Sequence, residues 1–242
     1  MSLSAFPLVH VGPASIAAHS LEHARDAIRQ IERSPVPLVG YFSYDLAPLF
    51  EHLPTAASDD LHLPLIAFTP ALPLERRGLP ISSTARASRI VASTFTRDQY
   101  ENAVARCIDS IRAGDIFQVN LSQRFTVETP DAPIDIYERL QQQSPATYAA
   151  YLDFGDHAIL SNSPELFLRI ERLPNGRRRI INRPIKGTRP RQSGMDSELR
   201  DSAKDQAELA MIVDLQRNDL GRICEIGSVV VTEPRTIEAL SL

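Results

Sequence analysis

Apolar and polar positions alternate along this chain with two periods. Residues 16–32, IAAHSLEHARDAIRQIE, repeat their apolar positions about every 3.6 residues, which predicts an amphipathic helix. PLVGYFSYD (37–45) and RIVASTF (89–95) carry the β-branched and aromatic residues of strands, and LIAFTP (65–70) is a short apolar run of the same kind. A Pro-rich, weakly patterned stretch covers 53–84. Thr96 is placed to cap a helix running to about Arg112, and Gly114 is placed to end it. IFQVNLSQRFTVE (116–128) alternates and predicts one long strand.

The second half repeats these signals. IDIYERLQQQ (134–143) reads as a short helix. TYAAYLDF (147–154) and HAILSNS (157–163) read as paired strands about Gly155-Asp156. PELFLRIERL (164–173) and RRRIINRPIKG (177–187) pair across the turn Pro174-Asn175-Gly176. Residues 199–216 predict a helix whose middle, Leu209–Val213, is apolar nearly all round and so should be buried. CEIGSVVVTEP (224–234) predicts a last strand. Hairpins separated by helices indicate an α+β fold with largely antiparallel sheets and outer helices.

Composition narrows the class. A chain of 242 residues, 43% hydrophobic and 23% charged, has room for one large domain or two small ones. The net charge of −4 argues against a nucleic-acid binder. Arg177-Arg178-Arg179 follows a turn and reads as a solvated hairpin arm. Cys107 and Cys224 have no metal-ligand spacing, which suggests a reducing compartment. There is no leader pattern and no apolar run of about 18 residues, so the expectation is a cytoplasmic protein without membrane contact.

Positive charge is written almost wholly as arginine: of 26 cationic side chains only Lys186 and Lys204 are lysine. Lys186 stands among Arg183, Arg189 and Arg191. A guanidinium stays protonated, whereas an amine can become neutral and nucleophilic where burial or nearby cations favour it. One reading is a reactive lysine; the other is a charged surface strand. Asp205 and Glu208 lie three apart and share a helix face. Such an oxygen pair suits Mg²⁺, or it pairs with Lys204, Arg200 or Arg217. Glu165 follows Ser163-Pro164 at the start of the strand that pairs with the Lys186 strand.

Four ordered motifs, GDIFQVNLSQRF (114–125), SNSPELF (161–167), RPIKGTRPR (183–191) and KDQAELAMIVDLQRNDLGR (204–222), resemble the chorismate-binding family. That family includes anthranilate, isochorismate and salicylate synthases and aminodeoxychorismate synthase component I. GYFSYDLAPLFEHLP (40–54) is similar to the N-terminal half of its aminating members. The resemblance implies that 1–92 is the N-terminal part of a component I fold and 93–242 the first half of the catalytic region. It implies a C-terminally incomplete domain that needs the remainder for turnover. Water-adding members carry a lysine base where this chain has Gln118, and anthranilate synthases typically read PIAGT where it reads PIKGT.

The resemblance therefore points to aminodeoxychorismate synthase component I. It makes Lys186 the nucleophile and Glu165 the general acid/base. Gly187 and Thr188 become substrate-binding positions, and Glu208, with Asp205, a ligand of Mg²⁺. Its implied partners are chorismate, ammonia and a glutamine amidotransferase subunit. Anthranilate synthase component I, or an inactive short relative acting only as a binding module, remain the alternatives.

Overall fold

The computed structural model describes residues 8–53, 59–71 and 86–238. Much of the Pro-rich stretch at 53–84 lies outside the described residues. In chain order the elements are β1 (Leu8–Val11), β2 (Ile16–Ala18), α1 (Leu21–Glu32), β3 (Leu38–Phe42), a 3-10 turn (Tyr44–Leu49) and β4 (Ile66–Pro70). Then come β5 (Arg89–Ser93), α2 (Arg97–Ala113), β6 (Phe125–Glu128), α3 (Pro133–Gln143), β7 (Tyr148–Asp153) and β8 (Ala158–Ser163). The last are β9 (Leu166–Arg172), β10 (Arg178–Arg183), α4 (Met195–Asp201) and α5 (Ala203–Gly221). The fold is α+β. Every strand pair among the described residues is antiparallel except β1 with β7.

The chain forms two compact units, one of residues 1–78 with 140–242, the other of 79–139. In the first unit β4 is the middle strand of the sheet β2-β4-β3, and β7 is the middle strand of β1-β7-β8. Successive residues of β4 face opposite ways. Ile66 packs with Ala18, Ala24, Ala27 and Leu46 under α1, while Ala67 packs with Val39, Leu152 and Phe154. Gly40 makes this pairing possible: a Cβ there would lie 2.0 Å from the Ala67 carbonyl oxygen. The second unit holds the antiparallel pair β5–β6 and, between them in the chain, α2. Thr96 and Gln99 close a reciprocal cap on α2, and Gly114 ends it at φ +84°.

Six expectations need correction, the first being that residues 199–216 are not one helix: Ser202, in extended backbone, ends α4 and caps α5. Residues 16–32 are not one helix: Ser20 caps α1, and Ile16–Ala18 are drawn into β2 against Phe68–Ile66. The strand expected over 37–45 stops at Phe42, because the Ser43 hydroxyl accepts the Asp45 N–H and starts the 3-10 turn. The strand expected over 116–128 exists only as β6, since β5 offers partners only to Phe125–Glu128. No strand forms over 224–234, and no residue of α5 is buried. Alternation and an apolar girth predict burial only where another layer arrives. Among the described residues the middle of α5 is only partly covered: Leu209, Met211, Ile212 and Val213 are half-buried, and Leu215 stays 47% exposed.

Candidate active site

The expected site residues all fall in the first unit, on the β8–β9 junction, the segment after β10, and α5. The junction is fixed by one hydroxyl. Ser163 Oγ donates to the Glu165 carbonyl (3.2 Å) and accepts the Glu165 N–H (3.3 Å). Asn162, next to it, donates to the Ser144 carbonyl and accepts from Gln141, both at 2.8 Å. Glu165 thus leaves a tied backbone. Its Oε1 accepts the backbone N–H of Ile185 at 2.9 Å. That bond spans the hairpin and ends one residue before Lys186. The hairpin brings the two together because β9 and β10 pair from Arg172–Arg178 down to Leu166–Arg183. Its turn is closed by Gly176 at φ +80° and by the Asn175 side chain, which accepts the Arg177 N–H.

Lys186 is half-buried and its Nζ donates to the Ile185 carbonyl at 2.9 Å. The arginines around it in sequence do not all surround it in space as free charges. Arg183 pairs with Glu238, and Arg189 with Glu198 (2.7 Å) and Asp205 (3.0 Å). Gly187 adopts φ +74° and lies against α4 and α5: a Cβ there would sit 2.6 Å from Leu199 Cδ1 and 2.9 Å from Asp205 Cγ. Thr188 is exposed, and its carbonyl accepts from Arg189 Nη1 at 3.1 Å. Among the described residues the Gly187 and Thr188 N–H groups and the Thr188 hydroxyl have no partner, so they can donate to a ligand.

On α5 the two acidic residues differ. The Asp205 side chain is 14% exposed. The Ser202 hydroxyl beside it, and then the Arg189 guanidinium, hold its carboxyl below the usual range. Glu208, half-buried one turn later, makes no hydrogen bond or ion pair among the described residues. No group of three or more His, Cys, Asp or Glu side chains among those residues is arranged to hold a metal ion. For a divalent cation the fit is that of a one-carboxylate site: Glu208 is available and Asp205 is committed to Arg189. Mg²⁺ commonly accepts one or two carboxylates and keeps several waters.

Sequence reasoning missed Ser163 and Arg189 as parts of this arrangement. The Ser-x-Glu spacing before β9 was a signal for the first. Arg189 was read only as one of three arginines near Lys186, and nothing local told it apart from Arg183 and Arg191.

The family profile described as chorismate binding enzyme matches residues 74–241. The chain belongs to the chorismate-binding enzyme family. Among curated relatives, anthranilate synthase component 1 of Pseudomonas aeruginosa is 41% identical over 172 residues, 69% of this chain and 34% of the relative. Anthranilate synthase component 1 of Thermus thermophilus is 36% identical over 248 residues, covering 84% and 52%. Aminodeoxychorismate synthase component 1 of Salmonella typhimurium is 36% identical over 231 residues, covering 83% and 50%. The chain spans about half the length, or less, of these relatives. The fold matches the crystal structure of anthranilate synthase component I from Streptococcus pneumoniae with a TM-score of 0.64 at 23% identity, over 83% of this chain and 54% of that one. Members under both names are thus similar to it. No described helix is long and apolar enough to cross a membrane.

Proposed function

We propose that this chain carries the first half of an aminodeoxychorismate synthase component I site, working in the cytoplasm. The observation that carries the reading is the Glu165–Ile185 bond, which sets a carboxylate one residue from the lysine that distinguishes PIKGT from PIAGT. Glu165 Oε2 has no partner among the described residues and can move a proton. Lys186 would leave its resting bond to the Ile185 carbonyl, pass a proton to the Glu165 carboxylate, and add its nitrogen lone pair to C2 of the chorismate ring. The ring double bonds shift, the C4–O bond breaks, and the departing hydroxyl takes a proton from Glu165 and leaves as water. Ammonia then bonds at C4, the double bonds shift back, and the C2–N bond breaks. This frees Lys186, and the proton lost by the new amine returns to Glu165.

The N–H groups of Gly187 and Thr188 and the Thr188 hydroxyl would hold a substrate carboxylate. Glu208, backed by Asp205, would hold Mg²⁺, which when bound supplies counter-charge to the ring carboxylate. The product, 4-amino-4-deoxychorismate, would feed p-aminobenzoate and folate synthesis. A glutamine amidotransferase subunit would supply the ammonia. Anthranilate synthase is the second reading, favoured by the identity to relatives of that name.

The test is product analysis with chorismate, Mg²⁺ and ammonium. It uses the chain alone and the chain with the remaining half of the Salmonella typhimurium relative. Lys186-dependent aminodeoxychorismate supports the proposal. Fluorescent anthranilate would move the chain to the second reading, and no product in either mixture would favour a binding module.

A further inference from the structure

We propose that Arg189 is a positioning residue for Lys186, clamping the segment after β10 onto α4 and α5 so that the amine is held at one place. The guanidinium is used on all sides. Nε donates to Glu198 Oε1 on α4 (2.7 Å), Nη2 to Asp205 Oδ2 on α5 (3.0 Å), and Nη1 to the Thr188 carbonyl of its own segment (3.1 Å). One side chain therefore joins three pieces of chain. Lys186 is bracketed by this clamp and two further anchors. Before it, the Ile185 N–H is held by Glu165; after it, Gly187 rests on Leu199 and Asp205 with no room for a Cβ. Arg189 is 26% exposed and Asp205 14%, so that arm of the clamp is shielded from competing water more than a surface pair would be, while Glu198 is 53% exposed.

The planar fork explains the residue type. A lysine at 189 would bring a point charge that cannot donate in three fixed directions. The consequence for chemistry follows from tolerance: attack needs reacting atoms about 3–3.5 Å apart, and a displacement of about 1 Å can cost roughly a hundredfold in rate. The clamp also explains why Asp205, unlike Glu208, is already engaged. Its work as a positioning group rests on the reading of Lys186 as nucleophile, but its geometry does not.

The chain supplies its own control, because Lys186 and Lys204 are its only lysines and Lys204 is exposed. The purified chain is acylated briefly with acetic anhydride at one pH, and the extent at each lysine is read by peptide mass spectrometry. Lys186, half-buried and bonded to Ile185, is expected to react more slowly than Lys204. In Arg189→Gln the Lys186:Lys204 ratio should rise at least about tenfold with Lys204 unchanged, the effect of losing a charge-assisted hydrogen bond. Arg189→Lys should not restore the wild-type ratio. Glu198→Gln, which takes the charge from one partner and spares Asp205, should give a smaller rise and serves if Arg189→Gln does not fold. An unchanged ratio in a variant with native circular dichroism, or a rise shared equally by Lys204, would overturn the proposal. No chorismate is used, so the outcome stands apart from whether Lys186 forms an adduct.

Discussion

Glu165 does two jobs in this account, and two substitutions separate them. Its Oε1 accepts the Ile185 N–H at 2.9 Å, and its other oxygen handles the proton. Gln keeps a carbonyl acceptor of the same reach but cannot exchange the proton; Ala keeps neither. A hydrogen bond to an ionised acceptor contributes about 1.5–3 kcal/mol and a neutral one about 0.5–1.5. Glu165→Gln should therefore weaken the anchor by about 1 kcal/mol, roughly fivefold in protection of the Ile185 amide against hydrogen exchange. Glu165→Ala should lose the whole bond, roughly ten- to a hundredfold in protection. Proton transfer by a placed side chain typically contributes about 10²–10⁴ in rate. Amination should thus fall by about that factor in Glu165→Gln, far more than its anchor weakens. Amide exchange resolved at Ile185, alongside the amination rate, reads both. A Gln variant that aminates at a near-normal rate would refute the proton-transfer role. An Ala variant with unchanged Ile185 exchange would refute the anchor.

Ile66 is fully buried beneath α1, so Ile66→Ala should cost about 2–5 kcal/mol in urea unfolding, against little for a change at exposed Phe50. Burial pushes the phenols of Tyr137 and Tyr151 from 10.0 up to about 12, and at Tyr151 the Asp153 carboxylate adds to it. The folded state then holds these protons more tightly than the unfolded state. Their stabilisation is complete below pH 10.0 and is lost as pH rises towards 12, and absorbance titration should show both ionising late. Gly187→Ala forces a Cβ into Leu199 and Asp205 at a left-handed φ, and should raise acylation of Lys186 by acetic anhydride without lowering the thermal midpoint by more than a few degrees.

Elements with a local signal were legible in the sequence. The Thr96 cap, the Gly114 helix end and the Asn175-Gly176 turn each act over a few residues and appear where expected. What was not legible depends on distant partners. Nothing in 116–124 or 224–234 states that no strand will come alongside, and the apolar girth of α5 does not say whether another layer covers it. The site divides in the same way. Lys186 and Glu165 stand in motifs that resemble a family, and the hairpin turn between them places them one residue from contact. The Arg189 clamp needs the fold, because Glu198 and Asp205 reach it only after α4 and α5 pack beside the hairpin.

The most direct test of the central claim is a mass measurement. The chain, with the C-terminal half of a relative supplied if binding requires it, is incubated with chorismate and Mg²⁺ in the absence of ammonia. The account predicts a covalent species heavier by one chorismate less one water, with the modified peptide containing Lys186 and not Lys204. It should be absent in Lys186→Arg and discharged by ammonium to aminodeoxychorismate. A wild-type protein that releases aminodeoxychorismate when ammonium is added while Lys186→Arg does so equally well would contradict it.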